Sequence, residues 1–206
     1  MPEREYDAAY FERWYRDEGF GSRARTERKA RYAIGAAEYL LERPIRSVLD
    51  VGCGEGQWRQ AVRKVRPSAS YVGVDPSAYA IERFGRARNL RRGTLATLDD
   101  LDLPPSFDLV VCCDVLGYAS DRDVRAGLQS MAARTAGVAI IEVFVIGDDI
   151  EGDVDGYRLR RAETYDRWIG DSGLYRIGPH LYAGPELHRS LARFERDPGS
   201  GSASGG

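Results

Sequence analysis

Four stretches of the 206-residue chain are apolar almost without interruption: SVLDV (47–51), SYVGVD (70–75), FDLVVCCDVL (107–116) and AGVAIIEVFVI (136–146). A strand with one wet face alternates apolar and polar residues, whereas continuous runs mark parallel strands covered on both faces. Between the runs, apolar residues recur at helical spacing. GQWRQAVRKVR (56–66) sets Trp58, Ala61, Val62 and Val65 on one side. PSAYAIERFGRAR (76–88) opens with proline, as first helical turns often do, and presents Ala80, Ile81 and Phe84. DRDVRAGLQSMAART (121–135) starts with acids, favourable at a helix N-terminus, and shows Val124, Leu128 and Met131. Strands alternating with helices predict an open, mostly parallel α/β sheet with right-handed crossovers.

The flanks are less regular. The first 43 residues read as helix in two pieces separated by Gly19 and Gly21. The second piece, SRARTERKARYAIGAAEYLLE (22–42), offers Tyr32, Ala33, Ala36, Ala37 and Leu40 as a packing side. LRRGT (90–94) is a weak strand followed by an acidic loop. Beyond residue 146 come an acidic loop, GDDIEGDVDG (147–156), and a helix, RRAETYDRWIGDSG (160–173), stopped by Gly173. LYRIGPHLYAG (174–184) and LARFERD (191–197) read as strands of a terminal hairpin joined through PELHRS. This predicts a helical lid or cap at 1–43, an α/β domain at 44–197 and a disordered tail at 198–206.

Composition narrows the class. The chain is 43% hydrophobic and 30% charged, values of a globular protein. A net charge of −2 and a pI near 5.8 leave no basic footprint for nucleic acid. Of the 30 basic residues only Lys29 and Lys64 are lysines, a bias that fits GC-rich coding in a bacterium. Cys53, Cys112 and Cys113 make no disulfide framework, and the last two read as small core residues. No apolar run has the length of a bilayer span and the charged first residues hold no signal-peptide core, so a cytoplasmic protein is expected.

The stretch VLDVGCGEG (48–56) carries the most chemistry. A glycine turn at the carboxyl end of a buried strand lets backbone N–H groups approach a ligand that any Cβ would block. Gly52, Gly54 and Gly56 form G-x-G-x-G; the dinucleotide pattern would put its last glycine at Gln57. Asp75 ends the second strand 19 residues after Gly56, where an acid can accept both hydroxyls of a ribose.

VLDVGCGEG, GVDPS, RRGTLATL and FDLVVCCDVLGY, in this order and spacing, resemble motifs of the class I S-adenosylmethionine-dependent methyltransferases. The resemblance implies a Rossmann-like, seven-stranded sheet, helices on both faces, with its last strand antiparallel. It implies S-adenosylmethionine as cofactor and S-adenosylhomocysteine as product. Asp50 and the turn Gly52, Cys53, Gly54 and Gly56 would hold the methionine portion, and Asp75 with Pro76 the ribose. Thr94, Leu95 and Ala96 would flank the adenine, and Asp114 and Val115 would stand beside the cofactor. Many relatives carry an acid after the glycine of the third loop to accept from the adenine amine; this chain has Gly93-Thr94.

The implied reaction is an in-line displacement at a sulfonium methyl by an O- or N-nucleophile, in which the protein mainly positions the reactants. N-P-P-Y and D-P-P-Y are missing after the fourth strand, so a base amino group is not the expected acceptor; a small molecule is. His180 is a candidate general base or a packed loop residue. Asp114 is a catalytic or cofactor contact, or a cap for the next turn. Tyr10, Trp14 and Tyr15 belong to an aromatic N-terminal helix that either closes over the substrate or docks on the sheet, and Tyr118 stands on the substrate side. SRARTERKAR (22–31) reads as the solvated side of a helix. EGDVDG looks like the start of a calcium loop, but its twelfth position is Ala162, so no metal site is expected. The rival readings are a non-catalytic S-adenosylmethionine-binding module and a nicotinamide-dependent oxidoreductase. The second is disfavoured by Gln57 and by the lack of any lysine after Lys64. Oligomeric state is not legible.

Overall fold

The structure is a computed structural model that describes residues 6–17, 22–150 and 153–196. The expectations for Gly19, Gly21, Glu151, the side chain of Tyr15 and the tail 198–206 lie outside the described residues.

Seven strands form one sheet in the order β3-β2-β1-β4-β5-β7-β6. They are β1 (Ser47–Val51), β2 (Ser70–Asp75), β3 (Leu90–Arg92), β4 (Phe107–Cys113), β5 (Thr135–Glu142), β6 (Tyr175–Gly178) and β7 (Leu181–Ala183). The first five are parallel, and β7 runs antiparallel to both β5 and β6. A short helix α1 (Ala8–Phe11) continues as a π-helix over Glu12–Asp17, and α2 (Arg23–Leu41) follows. The later helices are α3 (Gln57–Val65), α4 (Ala78–Arg88), α5 (Asp121–Arg134), α6 (Ala162–Asp171) and α7 (Pro185–Ser190). Among the described residues no helix is long and apolar enough to cross a membrane.

The continuous apolar runs have a direct cause, because each strand feeds two cores. In β4, Val110 and Cys112 join one cluster with Leu128 and Met131 of α5 and Trp168 of α6. Leu109 and Val111 face the other way, onto Ala33, Ile34 and Ala37 of α2 and Trp58 and Val62 of α3.

The structure corrects several boundaries. β4 stops at Cys113 because the chain enters a left-handed turn at Asp114 (φ +60°); Leu116 is buried from a 3-10 turn rather than from the strand. β5 stops at Glu142, four residues before the apolar run ends. Pro76 precedes α4 instead of opening it, and Ser77 caps the helix by accepting from the Ala80 N–H (3.0 Å). LYRIGPHLYAG supplies both arms of the terminal hairpin, β6 and β7, while LARFERD forms no strand over its described part. On α2 the buried side is Ala30, Ala33, Ile34 and Ala37; Tyr32 is exposed and its hydroxyl donates to the Pro179 carbonyl (3.0 Å).

Candidate active site

β1 and β4 are neighbours, yet their chains leave in opposite directions, β1 toward β2 and β4 toward β5. Such a switch point opens a crevice at the carboxyl ends of the strands. A cavity of about 890 Å3 occupies it.

The glycine turn forms its floor. Gly52, Gly54 and Gly56 have φ of +75°, +52° and +79°, values that a side chain makes costly. At Gly52 there is no space either, since a Cβ would sit 2.1 Å from Cγ2 of Val115. The Gly54 N–H donates to the Asp75 carboxylate (2.7 Å), whose other oxygen accepts from the Ser77 N–H (2.9 Å). One acid therefore ties the glycine turn to the loop after β2, and burial raises its pKa against the pull of these two N–H donors. Gly73, within β2, leaves room for Cys53, whose Sγ would lie 2.6 Å from an added Cβ.

Most of the predicted residues meet at this cavity. Gly52, Cys53 and Gly54 line it with Asp75 and Pro76, and Thr94, Leu95 and Ala96 line it further along. Asp114, Val115 and Tyr118 do so from the end of β4, and Tyr10 and Trp14 from the N-terminal segment. Three others are not on the wall. Gly56 is the left-handed N-cap of α3. Asp50 is buried behind the turn, accepting from the Tyr71 hydroxyl, and burial pushes its pKa up to about 7. His180 sits exposed at the β6–β7 turn (φ +58°), its carbonyl paired with the Ile141 N–H, although its charge is still felt at Asp114.

The cap reading of Asp114 is not supported, because Val115 holds the N-cap position of the 3-10 turn and makes no side-chain cap bond. Cys112 is core, as expected, but Cys113 is only partly buried and lines the cavity.

Several wall residues were missed by the sequence reading. Arg25, Thr26 and Lys29 of α2 line the cavity, so the basic stretch 22–31 is not simply a solvated face. Lys29 pairs closely with Glu142 at the end of β5 and lies 3.8 Å from the Asp114 carboxylate. Asp123 of α5 also lines it, held by the Ser120 hydroxyl (2.7 Å). Tyr157 directly follows the acidic loop and lies against Gly117, where a Cβ would meet its ring at 2.1 Å. Arg160 anchors that loop. Its guanidinium donates to the carbonyls of Leu116 (3.2 Å) and Ala119 (2.7 Å) and to the Tyr165 hydroxyl (2.8 Å), and it pairs with Asp121. Only the period-breaking glycine of VLGY hinted at a close approach there.

The N-terminal segment grips the same loops. Phe11 is buried and stacks on Tyr79 of α4 (5.6 Å between centroids), and Arg16 pairs with Glu55 of the glycine turn (3.0 Å). The Ser77 hydroxyl donates to the Tyr6 carbonyl.

Comparison with known proteins agrees with this geometry. Residues 49–136 match the family described as "Methyltransferase domain". The chain is 31% identical over 108 residues to an uncharacterized protein of Synechococcus sp., covering 49% of this chain and 25% of that one. It is 27% identical over 148 residues to trans-aconitate 2-methyltransferase of Deinococcus radiodurans, covering 72% and 55%. The chain thus spans between a quarter and about half the length of the curated relatives it matches. Among solved structures, the sugar N-methyltransferase KedS8 from Streptoalloteichus sp. superposes with a TM-score of 0.60 at 20% identity, over 89% of this chain and 94% of that one. Residues 49–136 match the methyltransferase-domain model, and the chain has the fold of an S-adenosylmethionine-dependent methyltransferase from Archaeoglobus fulgidus, with a TM-score of 0.61 at 18% identity over 82% of this chain and 75% of that one.

Proposed function

We propose that the chain transfers a methyl group from S-adenosylmethionine to a small-molecule acceptor. The observation that carries this reading is the single cavity joining the glycine turn, Asp75 and the 94–96 segment to the end of β4. The residues present fit the cofactor. Asp75 has no cationic partner among the described residues, and each of its oxygens, bonded to one backbone N–H, keeps acceptor capacity for a ribose hydroxyl. The cavity lies at the upper end of the range for ligand sites, which leaves space for an acceptor beside the cofactor.

When bound, S-adenosylmethionine supplies a sulfonium methyl activated by its own positive charge. The protein's task is to bind, align and exclude water. The glycine turn offers backbone N–H groups to the methionine end, and Leu95 and Ala96 flank the adenine. Asp123 supplies near them the acid that Gly93-Thr94 lacks. Tyr10, Trp14, Tyr118 and Tyr157 close the acceptor end. Of the two base candidates, Asp114 is better supported than His180, because it is on the wall and His180 is not. Asp50 acts from behind the turn rather than within the cavity.

A small-molecule acceptor is supported by the kinds of relative found, which include a sugar N-methyltransferase and a trans-aconitate methyltransferase. The arginine-biased composition and the free cysteines fit a bacterial cytoplasm. Calorimetric titration with S-adenosylhomocysteine and with NAD tests the cofactor assignment, with binding expected only for the first. Asp75→Ala is expected to weaken S-adenosylhomocysteine by roughly 2 kcal/mol, about 30-fold, through lost charge-assisted hydrogen bonds. An unchanged affinity would refute the ribose assignment. A panel of amine, phenol, carboxylate and thiol acceptors then separates an enzyme from a silent binding module.

A further inference from the structure

We propose that Lys29 is a positioning residue of the acceptor end, which keeps the Asp114 carboxylate ionised on the cavity wall as the group that takes the acceptor's proton. This rests on the methyltransferase reading above.

The placement is specific. Lys29 is one of two lysines in a chain that otherwise uses arginine, and it is the one turned inward, with its side chain only 21% exposed. A compact ammonium can be shared by two carboxylates that approach from different strands, where a planar guanidinium would demand a flat, forked partner. Glu142, at the end of β5, takes the closer contact; Asp114, at the end of β4, lies 3.8 Å away. The Asp114 N–H donates to the Glu142 carbonyl (2.9 Å), so the two strand ends are tied through the backbone as well. Asp114 holds a left-handed conformation (φ +60°) that a residue other than glycine adopts at a cost. Lys29 and Asp114 both line the cavity, and Glu142 does not, so Glu142 secures the lysine while Asp114 meets the acceptor.

The charges around Asp114 divide by element. Lys29 and Arg25 from α2 and His180 from the β6–β7 turn favour its ionised form, while Glu142 from β5 opposes it. Cys113, beside it on β4, has its thiol pKa raised, chiefly by desolvation at the cavity wall, and Tyr157, just after the acidic loop, has its hydroxyl pKa raised by burial. Burial raises the Asp114 pKa, and Lys29 is the largest influence pulling it back. Lys29 itself stays charged, because its carboxylate neighbours outweigh its own burial. An acceptor phenol, alcohol or ammonium needs a group that is already deprotonated to receive its proton during transfer.

The test follows the Asp114 carboxyl carbon by NMR in protein labelled with 13C-aspartate, with Asp114→Asn assigning the resonance. Lys29→Met is expected to raise its titration midpoint by about one unit, the lower end of the effect of an adjacent opposite charge, because Asp114 is half-exposed. Glu142→Gln is expected to lower it, and Lys29→Arg, whose flat guanidinium is a poorer match for two carboxylates approaching from different strands, to restore only part of the wild-type value. Should Lys29→Met fail to fold, Lys29→Gln, which also removes the charge but keeps a polar end for Glu142, carries the same test. A midpoint that stays within about 0.3 units of wild type in the folded variant that removes the Lys29 charge overturns the proposal. For an acceptor from the panel that is turned over, the acid limb of kcat/KM must move with the NMR midpoint; a limb that stays while the midpoint moves removes the proton-accepting role. Failure of the wild-type protein to bind S-adenosylhomocysteine or to turn over any acceptor would instead overturn the methyltransferase reading.

Discussion

Gly52→Ala probes the point where the glycine turn and the end of β4 touch. Two costs add. Alanine at φ +75° is disfavoured by about 1–2 kcal/mol. Its Cβ would also stand 2.1 Å from Val115 Cγ2 and 3.0 Å from Cγ1, and overpacking of this kind costs about 1–3 kcal/mol. Together about 2–5 kcal/mol should be lost. Val115→Ala removes the two methyl groups that collide but leaves the backbone cost, so in the double variant only the overlap is relieved. The cycle should show a favourable coupling of about 1–3 kcal/mol between positions 52 and 115. Urea unfolding of the four proteins gives the stabilities, and S-adenosylhomocysteine titration of each shows whether the turn recovers its shape. If the two substitutions are additive to within about 0.5 kcal/mol, Val115 is not what requires glycine at 52, and the close-approach reasoning fails.

Three further outcomes are expected. Asp50 binds its proton more tightly in the folded protein (pKa about 7) than in the unfolded chain (near 3.8). Its contribution to stability is therefore full below pH 4 and lost as pH rises through 7. Asp50→Asn should gain on wild type across that window, by on the order of 4 kcal/mol at most, and denaturation at pH 4.5 and 8 measures it; a constant difference would refute the buried protonated acid. Arg160→Met should cost about 2–4 kcal/mol by stranding the Leu116 and Ala119 carbonyls, and should speed proteolysis within 147–159; Arg160→Lys should not rescue, because one ammonium cannot reach all these partners. Phe11→Ala should weaken S-adenosylhomocysteine several-fold while leaving most of the melting temperature, whereas a collapse of the cooperative melt would make the N-terminal segment part of the core.

The hydrophobic pattern alone determined the four central strands β1, β2, β4 and β5, because a doubly covered strand must be apolar at nearly every position. The turn at 52–56 and the acid at 75 were legible for a related reason, since both are set by short-range geometry at the end of a named strand. The hairpin was misplaced because β6 is exposed at its start, with Tyr175 and Arg176 facing out, and carries little signal. The wall opposite the glycines was invisible. Arg25 and Lys29 look like a basic helix face until α2 is laid beside β5, and Arg160 looks like any loop arginine until its carbonyl partners appear. The same limit applies to Asp50 and Asp75, two acids at the ends of adjacent strands. Only packing decides that one accepts from Tyr71 behind the turn while the other ties Gly54 to Ser77 on the cavity wall. Local periodicity records which face of an element is dry, but pairing of charges depends on which elements come together, and that is settled only when the chain closes its two cores.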